Sequence, residues 1–519
     1  MRRGSLSLGS MCLTALMLVL LGGNATRARA TTDNTKIASS LARLAARSKP
    51  NARLRVIVLG RRADVAARAE GKLRKRLRLV PGVAATVRAS DLAALAARPG
   101  VSLVARDAPV TLTATGGVST SSLASIYPGR DAVAKPWGAG MTGQGVGIAV
   151  IDSGVTPSDA FGSRLVQVPL DGQTGSLDDT VGHGTMVAGV AAGDSPDGAF
   201  IGIAPGATVY ALNINRPTGV YTSDVITALK WVFDNAHAYN IRVVNLSLTE
   251  NVTSSYTNSP LDLAVERLWA SGVFVAVAAG NRGAGAIDYA PANDPLALTA
   301  GAFDTMDTAG PKDDTLLSWS SRGTTVDGYA KPEMVLPGRH IAGPLPSGTY
   351  LDGVAPSANR VASGYATING TSFAAPQIAG AAAILFQEHP TWSPDNLKWL
   401  LIAKPGPKPK NSTVPSLNLG PVYDFNSTPG RANQGVPALV CAPGATCLTG
   451  STVASDWDSS SWSSSSWSSS SWSSSSWNSS SWSATANWDS SSWSSSSWSS
   501  SSWSSTTWLT STDGFDAWG

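Results

Sequence analysis

Four near-continuous apolar runs constrain this chain most: Val146–Ile151, Val209–Leu212, Val243–Leu248 and Phe274–Ala278. They alternate with helical stretches at Thr185–Ala192, Asp224–Ala238 and Leu261–Ala270. A strand that is apolar on both faces needs cover on both faces. The pattern therefore predicts an α/β fold, a mostly parallel sheet with helices on either side. In such sheets, sites collect outside the carboxyl ends of the strands. Asp152 and Asn281 each come just after a run, where a site is expected.

At 519 residues the chain is longer than one average domain. Residues 1–30 read as an export signal. Arg2 and Arg3 open it, Leu13 to Leu21 form its apolar core, and Ala28-Arg29-Ala30 is a small-x-small cleavage site. That core is too short to span a bilayer as a mature helix, and no later run is longer, so no membrane anchor is expected. Cys12 leaves with the signal. An oxidising export route suits a Cys441–Cys447 loop, with two unpaired thiols as the other reading.

Charge is divided along the chain. Before residue 120 there are 21 Lys and Arg against 5 Asp and Glu; after it, 18 against 30. A basic segment raises the question of nucleic acid. Docking of a cationic segment onto an anionic body in the same chain explains the asymmetry better, so no nucleic-acid partner is expected. Beyond a polar, alanine-rich mobile arm over 31–50, Arg53–Leu59 alternates like a strand and Ala63–Leu77 reads as a helix. Leu79–Arg88 suggests strands broken at Pro81-Gly82, Ser90 caps a short helix, and Val101–Ala105 is a last strand.

The carboxyl end differs in kind. A Pro/Gly-rich linker over 406–450 leads into a Trp/Ser repeat over 451–519, with Trp462, Trp467, Trp472, Trp477 and Trp482 at period five. That period gathers tryptophans into one stripe on neither a helix nor a strand. A disordered low-complexity tail is the default reading, with a pentapeptide-like solenoid as the structured alternative.

Chemistry is concentrated in four strings: Asp152-Ser153-Gly154, Gly182-His183-Gly184-Thr185, Ala279-Gly280-Asn281 and Gly370-Thr371-Ser372-Phe373-Ala374-Ala375-Pro376. Together they supply an acid, a base, an amide donor and a nucleophile, in the chain order Asp, His, Ser. A serine hydroxyl is a weak nucleophile until a base takes its proton. Of the four histidines only His183 sits between glycines ahead of a small-residue helix. Asp178 and Asp179 rival Asp152 by proximity to His183, and read as part of the approach loop.

On these strings, residues 137–390 resemble the subtilases, secreted subtilisin-like serine endopeptidases. The resemblance implies that Asp152, His183 and Ser372 are catalytic and that Asn281 is the oxyanion donor. It implies a ferredoxin-like propeptide over 31–115, itself a partner of the enzyme, and a peptidase domain over 116–405. It also implies a substrate-binding edge at Ser247, Leu248 and Thr249 facing a wall of Ala278, Ala279 and Gly280. These small neutral walls suggest protein or peptide substrates with broad or apolar preference before the cut. Structural calcium occurs in the family, but no compact set of oxygen ligands, and no metal ligand at all, is assignable from this sequence. The chain departs from the family at Thr249, Met186 and Gln377, where glycine, histidine and histidine are usual. Two other readings stand beside this one. In the first, a surface adhesin uses the Trp/Ser tail to contact a cell wall or polymer, on an inactive fold. The second is a sedolisin-like acid peptidase, which needs a Glu base.

Overall fold

Alternation in β1 (Arg53–Leu59) sends its side chains to two different cores. Leu54, Val56 and Val58 join a small cluster with Ala66, Ala67 and Leu95 from the helices Ala63–Glu70 and Leu92–Ala97. Ile57 and Leu59, on the other face, join the main core of the molecule. β2 (Gly71–Leu77), β3 (Gly82–Arg88) and β4 (Leu103–Arg106) complete an antiparallel sheet in the order β2-β3-β1-β4. The coordinates are a computed structural model that describes residues 36–112, 125–171, 173, 175–308, 310–441 and 446–453, without the side chains of 111, 112, 441 and 446–453. All belong to a unit starting at Asn34. The export signal and the Trp/Ser repeat beyond 453 lie outside the described residues, and the Cys441–Cys447 pairing rests on side chains that are not described.

Two expectations for this segment are corrected. Within the expected mobile arm, Ser39–Ala46 is a helix whose Leu41 is buried in the small cluster. The helix that starts at Ala63 ends at Glu70, and Gly71–Leu77 is a strand rather than its second half. Gly71 leaves the helix in an extended conformation, and exposed Lys72, Arg74 and Arg76 alternate with half-buried Leu73 and Lys75 and buried Leu77 against β3. A period of two had been masked by good helix formers.

A short strand, β5 (Val110–Leu112), follows. The central sheet contains β6 (Gly147–Asp152), β7 (Leu165–Val168), β8 (Thr208–Asn213), β9 (Ile241–Leu246), β11 (Phe274–Ala278), β12 (Leu298–Asp304) and β13 (Thr315–Leu316). β10 (Leu248–Glu250) follows β9 directly and pairs with β5 in a separate two-stranded ladder. The order is β13-β12-β11-β9-β6-β8-β7, and Met334–Pro337 also pairs with β12. Every pairing is parallel except that of β13. β6, β9 and β11 are buried along their whole length, as their unbroken apolar runs require.

Two helices without a polar face, His183–Ala192 and Ala375–Glu388, pack on each other within the core. A helix that is apolar all round belongs there. The helices Thr222–Asn235 and Pro260–Ala270 form a second, amphipathic pair. The expected α/β architecture is the one observed. Among the described residues no helix is long and apolar enough to cross a membrane.

Candidate active site

Asp152 ends β6, where the sheet delivers it fully buried. Its Oδ1 lies 2.7 Å from Nδ1 of His183, the first residue of the helix His183–Ala192. Gly182 precedes that helix with φ +93°, a left-handed conformation that glycine adopts without strain. Gly184 is needed for space: a Cβ there would come within 2.2 Å of the Gly154 carbonyl and 3.0 Å of the Asp152 side chain. The glycines flanking His183 thus let its helix sit directly against the strand end that carries the carboxylate.

Asp179 is the residue that the sequence reading undervalued. It is buried, and its Oδ1 accepts from Val181 N, Gly182 N and the Ser153 hydroxyl, at 2.9, 2.7 and 2.8 Å. Its Oδ2 accepts from the amide and hydroxyl of Thr185, both at 2.8 Å. Burial pushes its carboxyl up, and these donors offset only part of that rise. The anion satisfies the orphan amides at the start of the helix that bears His183. Ser153 links it onward, since its hydroxyl also lies 3.2 Å from Asp152 Oδ1. The sign that could have revealed it is an Asp set three and six residues before two helix-start amides.

Ser372 lies in a single turn, Thr371–Phe373, just ahead of the buried helix Ala375–Glu388. It exchanges two hydrogen bonds with Ser247. The Ser247 hydroxyl donates to the Ser372 carbonyl at 2.8 Å, and the Ser372 hydroxyl to the Ser247 carbonyl at 3.3 Å. The imidazole of His183 packs on Phe373, ring centroids 5.6 Å apart, and its Nε2 is buried without a hydrogen-bond partner. The Asp152–His183 bond is formed here and the His183–Ser372 bond is not. Such links are commonly long or misaligned until a ligand closes the site.

Asn281 comes three residues beyond β11, and Thr371 ties it to the Ser372 turn. Its Oδ1 accepts from the Thr371 amide at 3.1 Å and the Thr371 hydroxyl at 3.0 Å. The same hydroxyl accepts from Gly280 N at 3.0 Å. With the oxygen engaged, the N–H donors of the amide are the end left for a ligand. Ala278 and Ala279 are fully buried beside it.

The edge Leu248–Glu250 already carries a strand. β5 pairs with β10 antiparallel, Leu112 opposite Leu248, Thr111 opposite Thr249 and Val110 opposite Glu250. Asp107, just upstream, accepts from Ser223 N at the start of the helix Thr222–Asn235 and is paired to Arg55 at 2.8 Å. Burial pushes the Glu250 carboxyl up to about 7; the Thr222 hydroxyl, donating at 2.6 Å, works against that and the negative Asp107 with it. Arg282 was not singled out from sequence: its guanidinium spans from the Gly280 side to Thr249, with Nη1 2.9 Å from the Thr249 hydroxyl.

The departures at Met186 and Gln377 are packing choices. Met186 is fully buried against Gly343, and the Gln377 amide donates to the carbonyls of Pro337 and Phe373 at 2.7 and 2.5 Å. Among the described residues no three His, Cys, Asp or Glu side chains are grouped to hold a metal ion, so the calcium implied by resemblance is given no ligands.

Comparison with known proteins agrees with this architecture. Residues 143–420 match the Subtilase family. Serine protease AprX of Bacillus subtilis (strain 168) is 35% identical over 307 residues, 56% of this chain and 68% of that protein. Subtilisin E of the same organism is 30% identical over 341 residues, 64% of this chain and 77% of that protein. Among solved structures, fervidolysin from Fervidobacterium pennivorans, a keratinolytic enzyme related to subtilisin, superposes with a TM-score of 0.58. It shares 19% identity, covering 74% of this chain and 62% of that one, a likeness of fold. The chain belongs to the subtilase family and is a serine endopeptidase, a hydrolase.

Proposed function

We propose that Ser372, His183 and Asp152 form the hydrolytic triad, with Asn281 and the Ser372 amide as the oxyanion site. The observation that carries this is the buried 2.7 Å contact between Asp152 and the His183 Nδ1, in the helix packed on the Ser372 turn. Asp152 fixes the tautomer, so Nε2 faces the nucleophile as an acceptor. The Ser372 hydroxyl attacks the substrate carbonyl carbon and its proton passes to Nε2. Negative charge then develops on the carbonyl oxygen, where the Asn281 N–H donors stabilise it without reorganising. The C–N bond breaks as Nε2 returns the proton to the leaving amine. Water, activated by the same imidazole, hydrolyses the resulting acyl ester.

The substrate lies along Leu248–Glu250 as an added strand, with Ser247, Leu248 and Thr249 on one side of the primary pocket and Ala278, Ala279 and Gly280 on the other. β5 is the first occupant of that edge, so residues 31–115 act as an exported pro-segment, and the cut that frees the peptidase falls within 113–124.

The test is Ser372→Ala in the secreted full-length chain, assayed on casein. Turnover should drop by about 10⁴–10⁶, labelling by a serine-directed phosphonylating reagent should vanish, and the amino-terminal segment should stay attached. An intact Ser372→Ala protein that digests casein at the native rate would refute the assignment.

A further inference from the structure

The position of Arg282 gives the primary pocket a charge that its small walls conceal. Its guanidinium stacks 4.1 Å above the Tyr289 ring, and its Nη1 and Nη2 donate to the Thr249 hydroxyl and the Glu250 carbonyl at 2.9 and 3.4 Å. On the opposite wall, a Cβ added to Gly280 would lie 3.2 Å from the same Nη1. The cation therefore sits between the two walls. Its side chain is still exposed, and among the described residues no carboxylate pairs with it.

Register identifies which substrate residue meets it. Along an extended peptide, residues two apart share a face. A substrate that extends the register of β5 one residue past the Leu112–Leu248 pair has its position opposite Ser247, whose carbonyl accepts the Ser372 hydroxyl, two residues beyond the one opposite Thr249. On the triad reading, that position, nearest the Ser372 hydroxyl, is the one before the scissile bond. Its side chain leaves the strand on the same face as the position opposite Thr249, the face on which Arg282 lies.

Resting on the triad reading above, we infer that Arg282 is a specificity-determining residue that makes this enzyme prefer an acidic side chain, Glu or Asp, immediately before the scissile bond. A guanidinium has donors in a fixed fork that matches a carboxylate. It rejects lysine and arginine by repulsion and gains little from a phenyl ring. The chain's own segment 113–124 has no Asp or Glu. On this reading the pro-segment is cut slowly and lingers in the cleft as a poor substrate.

The experiment compares kcat/KM of the processed enzyme on fluorogenic peptides identical except for Glu, Gln, Lys, Ala or Phe before the cut. A charge-assisted contact predicts Glu over Gln by roughly ten- to a hundredfold, with the ratio shrinking as sodium chloride is raised. In Arg282→Gln the Glu/Gln ratio should fall to about one while the Ala peptide is still cut, and Arg282→Glu should favour Lys. Because each ratio is taken within one protein, partial loss of folded enzyme cancels. A wild-type Glu/Gln ratio at or below one overturns the inference whatever the variants do, as does a ratio that survives Arg282→Gln. Neither result touches the triad, whose failure would show instead as turnover by Ser372→Ala.

Discussion

At the scale of single residues, what distinguishes this site is how many groups hold His183 without touching a substrate. Asp179 binds both amides ahead of the helix and both donors of Thr185, and through Ser153 it reaches Asp152. It acts as a positioning residue. Asp179→Ala should lower kcat about 10²-fold, the scale of a roughly 1 Å misplacement, with KM nearly unchanged; Asp179→Asn, which keeps one acceptor oxygen, should recover part of it. Initial-rate kinetics on a chromogenic peptide check this, and a native kcat in Asp179→Ala would remove the role. Asn281→Ala should cost about 10²–10³ in kcat, the magnitude known for the oxyanion asparagine of a subtilisin, again with little change in KM. The strings that carry Asp152, His183, Ser372 and Asn281 stand out in the sequence because their glycines and small residues serve local backbone needs. Asp179 and Arg282 do not, because their roles depend on which distant groups come within 3 Å of them.

At the scale of elements, the pairing of β5 with β10 brings two carboxylates close together under cover. Asp107 stands at the start of the helix Thr222–Asn235, and Glu250 lies beneath it, bonded to Thr222. Arg106 opposes them with its positive charge, and Asp262 also faces Glu250 from the helix Pro260–Ala270. Because burial raises the Glu250 carboxyl to about 7, the folded chain holds that proton more tightly than the unfolded one. The stabilisation is complete below the ordinary carboxylate range and is lost as pH rises through 7. Asp262, Glu266 and Asp294 are also pushed up by burial, the first two by the Asp294 charge as well, and add the same sign. Calorimetry of uncut Ser372→Ala should therefore show Tm falling between pH 5 and 8, with Glu250→Gln removing part of the fall. A slope unaltered by Glu250→Gln would exclude Glu250 as a contributor. The element that sequence missed, Gly71–Leu77, is instructive: Lys and Arg favour helices in isolation, and only pairing with β3 decides the issue. The buried strands needed no such arbitration, being apolar on both faces.

For the molecule as a whole, the main core is one sheet wrapped by helices, and one group of its interior charges is paired around Glu333. Glu333 meets both Lys331 and Lys398, at 2.7 and 2.9 Å, and the two ammonium groups also donate to carbonyls of 295–297. Removing the carboxylate strands two buried cations. Glu333→Ala in the Ser372→Ala background should cost about 3–5 kcal/mol, measured by urea denaturation, and a loss below 1 kcal/mol would mean that the carbonyls alone suffice. The sheet class was readable from the apolar runs, whereas the pairing of β5 with β10 was not, since three residues of ordinary composition carry no signal of their partner. That pairing has a further consequence. While the chain is intact, occupant and cleft share one molecule, so their encounter is independent of how dilute the protein is. A single severed peptide bond makes the same contact bimolecular. On the proposed pro-segment reading, inhibition should then weaken with every fold of dilution, and spreading into a large volume should by itself free the enzyme.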